Sequence, residues 1–178
     1  GDGDHGAGMA RGLRAAAEAE RTGNAGAVLM QAGTAFSNAA GGASGALVGM
    51  FIMTIGAGLQ GSDEVEASQL HTALENGFNA IGKLGKAQVG DKTMLDTLSP
   101  FIAAFGEAAQ AGDSVRAAWE KALPAAEGGM KSTAEMVARR GRSSVLGDKS
   151  LGTIDPGAAS MYYMLTAIGQ VLQDNCPE

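Results

Sequence analysis

The chain has 178 residues, and its 13 lysines and arginines against 19 aspartates and glutamates leave a net charge of −6 at pH 7. This length fits one domain over residues 1–178, and the acidic balance argues against a protein that binds by covering nucleic-acid phosphates. A single cysteine excludes a disulfide framework and a paired-cysteine zinc or redox site, and it fits a cytoplasmic protein.

The composition predicts an all-α fold class, because aromatic residues are 4% of the chain while glycine occurs 28 times, as in closely packed helices with tight turns. Apolar residues recur at helical spacing in seven segments, near residues 7–22, 25–40, 44–60, 64–84, 92–111, 114–140 and 156–175. The fourth is the clearest, since Asp63 and Glu66 resemble a helix cap. Its apolar stripe comprises Ala67, Leu70, Leu74, Phe78, Ile81 and Leu84.

Three prolines and one apolar run bear on these helices. Pro100 and Pro124 fall inside predicted helices, where we expect kinks or breaks, whereas Pro156 suits the first turn of the last helix. The apolar run from Ala46 to Leu59 is shorter than the roughly 20 residues that a bilayer crossing needs. We therefore expect a buried helix there and no membrane partner.

Seven helices with short connections predict an up-and-down antiparallel bundle or barrel. The chain opens at Gly1, without a methionine and within a motif, so we expect that it is N-terminally incomplete. One further helix before Gly1 would complete a ring of about eight. In such a bundle, loops two helices apart lie at the same end, so the glycine-rich loops are expected to converge on a ligand. Trp119 is expected to anchor the core.

The opening Gly1-Asp2-Gly3-Asp4-His5-Gly6 has the glycine spacing of a dinucleotide-binding loop, but no strand precedes it. An EF-hand loop is excluded as well, because the later ligand positions are missing. A pair of hard oxygen ligands, Asp2 and Asp4, remains at a helix start, which suits Mg²⁺ carrying nucleotide phosphates. The alternative is that Asp4 only caps the helix and that Asp2 is solvated.

A second motif, Gly41-Gly42-Ala43-Ser44-Gly45, introduces a helix and lacks the lysine of a P-loop. Its small residues allow backbone N–H groups and the Ser44 hydroxyl to approach a phosphate at the helix N-terminus. Tight helix packing through the same small residues explains the motif equally well.

Two further motifs are less specific. The segment from Gly90 to Met94 on its own fits a polar turn and helix cap. The stretch from Gly141 to Gly157 offers Arg142 and an aspartate before Pro156. The guanidinium of Arg142 would serve a phosphate or ribose, or would form an ordinary surface ion pair.

Taken in order, these motifs resemble the L subunit of dihydroxyacetone kinase, which also occurs as the nucleotide-binding domain of single-chain kinases. The matching strings are GDGDHG at residues 1–6, GGASGAL at 41–47, GDKTMLD at 90–96, GRSSVLG at 141–147 and DPGA at 155–158. The resemblance implies an eight-helix antiparallel barrel that binds ADP or ATP through two Mg²⁺ ions. It also implies a partner K subunit or domain that holds the ketose covalently through a histidine.

The resemblance also implies roles for individual residues, matched position by position. Asp2 and Asp4 would be the metal ligands, and no catalytic residue is assigned to this chain with certainty. The residues implied in nucleotide binding are His5, Gly6, Gly8, Ala43, Ser44, Gly85, Met94, Arg142, Asp155, Pro156 and Gly157. Of these, Gly85 and Met94 would line the pocket of the base.

Three features depart from the family pattern. A third metal aspartate of the family precedes the position of Asp2 by five residues and therefore falls before Gly1. Gly8 stands where many members have asparagine, and Thr153 stands where histidine is common. These departures bear on metal affinity, on one polar contact to phosphate and on the order of the loop before Pro156.

Several functional alternatives stay open from the sequence. The bound ADP is either rephosphorylated by a phosphotransferase-system subunit or exchanged for ATP at each turnover. Dihydroxyacetone and erythrulose are equally compatible ketoses. A fatty-acid-kinase nucleotide domain is a related alternative, and a non-catalytic nucleotide sensor that docks on a transcriptional regulator is one of a different class.

Overall fold

The computed structural model describes residues 4–62 and 64–175, and no β-strand occurs within them. The α-helices of this part are α1 (His5–Glu18), α2 (Ala25–Ala40), α3 (Gly42–Gly58), α4 (Ala67–Gly85), α5 (Met94–Gln110), α6 (Val115–Ser132) and α7 (Pro156–Asn175). Two 3-10 segments, Thr133–Glu135 and Arg142–Ser150, lie between α6 and α7. The all-α prediction and the seven predicted helices are confirmed. None of the described helices is both long enough and apolar enough to cross a membrane.

The sixth helix is shorter than its predicted range of 114–140. Helix α6 ends at Ser132, a 3-10 turn follows, and Met136 is extended with φ −102° and ψ 149°. The Thr133 hydroxyl donates to the Met130 carbonyl at 2.6 Å and accepts from the Asp155 backbone N–H at 3.0 Å. The apolar pattern continues past Ser132, but this hydroxyl ties the chain to the start of α7 and the helix stops.

Both internal prolines lie inside continuous helices, so of the kinks or breaks predicted at Pro100 and Pro124 the breaks are wrong. Pro100 has no N–H to donate to the Asp96 carbonyl four residues earlier. That carbonyl lies directly against Gly129, where even a Cβ atom would collide with it. The close approach of α6 through a glycine therefore covers the carbonyl that Pro100 leaves without its helical partner.

The chain forms two compact units. The first comprises Gly1–Val65 and Thr72–Lys86. Within it, α2 packs against α1 and α3, and glycines line the contact of α2 with α3. A Cβ built at Gly26 would lie 2.5 Å from the Gly56 carbonyl oxygen, and one built at Gly33 would lie 2.9 Å from that of Gly49. The N-terminal part of α2 thus packs against the C-terminal part of α3, so the two helices are antiparallel. Their backbones are in contact with only hydrogen atoms between them.

The replacement of Gly33 by alanine is expected to lower the free energy of unfolding by about 2 kcal/mol, because overpacking forces neighbouring backbone to move. The added Cβ would lie 2.7 Å from Met53 Cγ and 2.9 Å from the Gly49 carbonyl oxygen. The matched control is Gly128→Ala on α6, whose Cβ meets nothing within 4 Å, so alanine there should gain up to about 1 kcal/mol of helix propensity. Urea unfolding of both variants measures the difference, and equal stabilities would contradict the packing argument.

The second unit comprises Glu66–His71 and Ala87–Glu178. Here α5, α6 and α7 pack on one another around buried aromatic rings. Trp119 on α6 lies edge-on to Phe101 with ring centroids 4.9 Å apart, and its Nε1–H donates to the Leu165 carbonyl of α7 at 2.9 Å. The predicted core role of Trp119 is confirmed, and its indole N–H also fixes the register of α6 against α7.

Helix α4 confirms most of its predicted apolar stripe. Ala67, Leu70, Leu74 and Ile81 are buried, whereas Leu84 in the last turn is half exposed. The helix begins at Ala67 rather than residue 64. The predicted capping residue Asp63 lies outside the described residues.

Candidate functional site

The first part of the candidate site is the start of α1. Asp4 occupies the N-cap position, yet its side chain accepts no hydrogen bond from the first turn, and it is exposed. The Asp4 backbone carbonyl begins the helical ladder by accepting from the Gly8 N–H at 2.9 Å. The capping alternative for the Asp4 carboxylate is therefore wrong, because no N–H of the first turn donates to it.

The metal prediction concerns a pair of aspartates, of which Asp2 lies outside the described residues. Among residues 4–62 and 64–175, no group of three or more histidine, cysteine, aspartate or glutamate side chains is placed to hold a metal ion. Asp4 is thus the one predicted metal ligand whose position is described. The pairing of Asp4 with Asp2 remains a prediction.

The second part of the candidate site is the junction of α2 and α3. Gly41 alone separates the two helices, with φ 70° and ψ 171°, a backbone conformation that is almost restricted to glycine. The helical ladder of α3 begins with the Gly45 N–H donating to the Gly41 carbonyl at 3.2 Å. The backbone N–H groups of residues 42–44 therefore precede the ladder, and no side chain caps them.

At this junction the structure confirms the packing interpretation of the glycine motif, and the phosphate interpretation stays a prediction. A Cβ built at Gly45 would lie 3.0 Å from the Ala40 Cβ, so Gly45 serves close packing against the end of α2. Gly42 and Ala43 are exposed, and a Cβ at Gly41 would meet nothing within 4 Å. The motif thus packs on one side and presents free space beside uncapped N–H groups on the other.

The two helix starts meet through one side-chain contact. Ser44 Oγ lies 3.4 Å from His5 Nδ1, which places the N-terminus of α3 beside that of α1. Each N-terminus carries the positive end of a helix dipole, and together they form a region that favours an anion. A Cβ at Gly6 on α1 would also meet nothing within 4 Å, so space is available above both helix starts.

Two neighbouring residues hold this arrangement in place. Gly8 is buried, and a Cβ there would lie 3.0 Å from the Ala40 carbonyl oxygen, so α1 crosses the end of α2 very closely. Arg11 donates from Nε and a terminal nitrogen to the carbonyls of Ala39 and Ala40, at 3.4 and 3.3 Å. The guanidinium thereby neutralises the negative end of α2 at the point where α3 begins.

The second unit contains the other predicted nucleotide-binding motifs. The segment from Gly90 to Asp96 is a turn closed by a capping box, because Asp96 accepts from the Gly90 N–H at 2.6 Å and from the Thr93 N–H at 2.7 Å. The Thr93 hydroxyl in turn accepts from the Leu95 N–H at 3.1 Å. The turn-and-cap interpretation of this motif is confirmed, and Met94, the first residue of α5, is buried behind it.

The start of α7 is built by the aspartate and proline of the last motif. Pro156 is the first residue of the helix, as predicted, and the Asp155 carboxylate accepts from the Ala158 N–H at 2.8 Å. A Cβ at Gly157 would lie 3.0 Å from this carboxylate and 3.7 Å from the Met94 Cε. The structure therefore brings Met94, Asp155 and Gly157 together, and Asp155 has a capping role that the sequence interpretation missed.

The remaining predicted residues are less closely defined. Gly85 is the last residue of α4 and is half-buried. Arg142 begins the second 3-10 segment, but its side chain lies outside the described part of the structure. Neither residue has a described polar side-chain contact with the other predicted site residues.

A buried lysine near α5 escaped the sequence interpretation. Lys92 is 2% exposed, and its ammonium group donates to three backbone carbonyls of the connection between α6 and α7. In the sequence, this lysine belongs to a polar turn, where a solvated side chain is the ordinary expectation. Only the return of the chain more than 40 residues later supplies its acceptors.

Comparisons with known proteins match this chain to one family. The sequence model of the DAK2 domain matches residues 1–170. The L-erythrulose 1-kinase of Mycolicibacterium smegmatis is 45% identical over 179 residues, covering 97% of this chain and 31% of that protein. The ADP-binding subunit DhaL of the PEP-dependent dihydroxyacetone kinase of Escherichia coli is 35% identical over 168 residues, covering 93% of this chain and 80% of the subunit.

A solved structure shares the helical fold. The dihydroxyacetone kinase from C. freundii in complex with AMP-PNP and Mg²⁺ superposes with a TM-score of 0.62 at 25% identity, covering 96% of this chain and 28% of that chain. The present chain thus spans about a third of the kinases named for erythrulose and most of the length of the DhaL subunit. The resemblance identified from the motifs is confirmed at the level of the family and the fold.

Proposed function

Since the chain belongs to the DAK2 domain family, we propose that it is the nucleotide-binding part of a ketose kinase. It binds ADP or ATP with Mg²⁺, and phosphate passes from the nucleotide to a short-chain ketose on a partner K subunit or domain. The observation that carries this proposal is the pair of uncapped helix starts joined at His5 and Ser44, with the Asp4 carboxylate beside them. Amide donors and a carboxylate together suit a phosphate that arrives with its metal.

The start of α3 supplies the phosphate contacts of the proposal. The backbone N–H groups at Ala43 and Ser44 and the Ser44 hydroxyl donate to phosphate oxygens, and His5 orients the hydroxyl through their 3.4 Å contact. The space at Gly6 and Gly41 admits the phosphate, because among the described residues no atom lies within 4 Å of a Cβ built at either glycine. Asp2 and Asp4 hold the metal, in a family arrangement with two Mg²⁺ ions. The bound metal supplies neutralisation of the phosphate charge.

The second unit supplies the other nucleotide contacts of the proposal. The buried Met94 thioether, next to Gly157, offers an apolar, polarisable contact to the base. Gly85 belongs to the same base contact. Arg142 is proposed to donate to phosphate or ribose, and Asp155 and Pro156, which form the start of α7, are proposed as further nucleotide-binding residues. Phosphoryl transfer depends chiefly on positioning and charge neutralisation, so these residues suffice without a general base in this chain.

The ketose and the phosphoryl donor are set by the surrounding protein. Relatives are named for L-erythrulose, D-erythrulose and dihydroxyacetone, so we propose a three- or four-carbon ketose as the substrate class. The chain covers 80% of a DhaL subunit that works in a PEP-dependent kinase, which supports a phosphotransferase-system subunit as one donor. Exchange of ATP is the other route, as fits its match to a third of a longer kinase.

The replacement of Ser44 by alanine is expected to weaken Mg-ADP binding about tenfold, because a hydrogen bond to a charged group is worth roughly 1.5 kcal/mol. Titration calorimetry measures this affinity. The control is Ser99→Ala on α5, which removes a half-buried serine hydroxyl outside the proposed site. Equal ADP affinities of the two variants would contradict a phosphate position at the start of α3.

Phosphoryl transfer is tested by mixing the chain with Mg-ATP and a family K subunit loaded with dihydroxyacetone, L-erythrulose or D-erythrulose. We expect phosphorylated ketose, detected by mass spectrometry, only when all components are present. The absence of product with all three ketoses, under conditions where ATP binds, would contradict the kinase assignment and favour a nucleotide-sensing role.

A further inference from the structure

Lys92 has an unusual combination of backbone and side-chain environment. It lies in the turn before α5 with φ 63°, a left-handed conformation that costs a residue with a Cβ about 1 kcal/mol or more. Its side chain is buried, with 2% exposed. Lysine is rarely buried completely, because its charge must be desolvated. A strained backbone and a buried charge in one residue indicate that contacts of the side chain compensate both costs.

The ammonium group is completely coordinated by the protein. Its three N–H donors match three backbone carbonyls, those of Met136 at 3.1 Å, Ser150 at 2.5 Å and Thr153 at 2.8 Å. All three acceptors are neutral oxygens, as in the carbonyl sites that replace the hydration shell of a monovalent cation. We define these three carbonyls as the lysine cage.

The cage lies entirely on the connection between α6 and α7, which contains two 3-10 segments and no α-helix. Besides Lys92, hydrogen bonds hold this connection: the Arg139 N–H donates to the Asp91 carbonyl at 3.1 Å, the Gly152 N–H to the Ala134 carbonyl at 2.8 Å, and the Ala138 N–H to the Ser150 hydroxyl at 2.9 Å. The ammonium group draws together carbonyls that are up to 17 residues apart in the chain (153 − 136). Without it, the Met136 and Thr153 carbonyls would lose the ammonium donor, and the Ser150 carbonyl would keep only the Thr153 hydroxyl, at 2.9 Å.

We propose that the Lys92 ammonium is a built-in monovalent cation that closes the 136–153 connection, and that Lys92 is therefore a positioning residue for the nucleotide contacts at Arg142 and Asp155. The positioning role rests on the proposed function, whereas the closure of the 136–153 connection does not. The cage would accept a free alkylammonium ion in place of the side chain, because its three oxygens can each accept one of the three N–H groups of that ion.

The test uses Lys92→Gly, which relieves the left-handed strain and leaves space for n-butylammonium, the group that the substitution removes. Hydrogen exchange of the backbone amides is measured by mass spectrometry without nucleotide. We expect exchange in residues 136–155 to become at least tenfold faster, while the amides of α5, α6 and α7 exchange as in the original chain. Added n-butylammonium should restore slow exchange, and tetramethylammonium, which has no N–H donor, should not.

Two further variants serve as controls. The first tests whether the effect comes from the lost ammonium group or from lost side-chain volume, and the second tests whether removal of any nearby lysine has the same effect. Lys92→Met keeps most of the side-chain volume, so it should show the fast exchange without rescue by n-butylammonium. Lys149→Ala removes an exposed lysine of the same connection and should leave exchange unchanged. Slow exchange in both Lys92 variants, or equal rescue by tetramethylammonium, would overturn the cage.

The positioning role of Lys92 is measured separately, through the affinity for Mg-ADP. Mg-ADP affinity of Lys92→Gly should fall at least tenfold and recover with n-butylammonium. Unchanged affinity together with fast exchange would overturn the positioning role and leave the cage standing. If the original chain itself bound no ADP, the proposed function would fail, and the exchange experiment would still decide whether the cage exists.

Discussion

The replacement of Asp4 by alanine is expected to abolish Mg-dependent ADP binding, with the affinity at least about 100-fold lower, or 2.7 kcal/mol. The carboxylate is exposed at the start of α1 and supplies no cap to that helix, so its loss should leave the helical structure intact. A hard oxygen ligand has no substitute in alanine, and the phosphates then lack the metal that neutralises them. Calorimetric titration with ADP in Mg²⁺, together with circular dichroism, measures both effects.

The matched control for this prediction is Glu18→Ala. Glu18 is exposed at the last residue of the same helix, so the substitution makes the same change in net charge at the opposite end of α1. We expect its ADP affinity to stay within about twofold of the original, because an exposed charge a helix length away is largely screened. An Asp4→Ala chain that binds Mg-ADP normally would remove Asp4 from the metal site.

The replacement of Asp96 by alanine is expected to cause the largest loss of stability, about 3 kcal/mol. Asp96 is 2% exposed and accepts two short hydrogen bonds, from the Gly90 N–H at 2.6 Å and from the Thr93 N–H at 2.7 Å. Alanine would remove the charged acceptor of both part-buried N–H donors and would also remove half of the capping box of α5. Urea unfolding followed by circular dichroism measures the change.

A less buried aspartate with an equally short contact provides the comparison. Asp113 pairs with Lys121 at 2.6 Å, and the side chains are 21% and 62% exposed, respectively. Since an exposed ion pair contributes at most about 1 kcal/mol, Asp113→Ala should cost less than a third as much as Asp96→Ala. Similar losses in the two variants would show that burial of the acceptor is not what makes Asp96 important.

The helices were predictable because their signals are local. Apolar spacing alone located all seven, and Pro156 marked the start of α7. The end of α6 was not predictable, because the predicted range runs on to residue 140 while the helix stops at Ser132. What stops it is a hydrogen bond from the Asp155 N–H to the Thr133 hydroxyl, 22 residues apart, and no local pattern carries that information.

The glycine motif at the start of α3 shows where a sequence signal was present but incomplete. Packing and phosphate binding were both compatible with it, and the structure shows a packed Gly45 next to an open Gly41. The recurrence of glycine every seven residues, at 26 and 33 and again at 49 and 56, would have indicated the close contact of α2 with α3. Seven residues are two helical turns, so these glycines share a face.

The candidate site was predictable in its parts and not in its connections. The motifs drew attention to Asp4, His5 and Ser44, but the contact of His5 with Ser44 depends on how α1 crosses the end of α2. The lysine cage was beyond sequence reasoning for a similar reason. Its three carbonyls are backbone groups, which any residue provides, and their convergence on Lys92 is a property of the folded chain alone.

The proposed Mg-nucleotide site is decided by calorimetric titration of ADP into the purified, metal-stripped chain, with and without Mg²⁺. We expect binding that depends strictly on Mg²⁺, because the carboxylates repel the phosphates until a metal lies between them. Mass analysis of the purified chain would add whether ADP is already bound, as expected if the nucleotide is rephosphorylated in place. A folded chain that binds no ADP in Mg²⁺, or binds it equally well in EDTA, would contradict the proposed site.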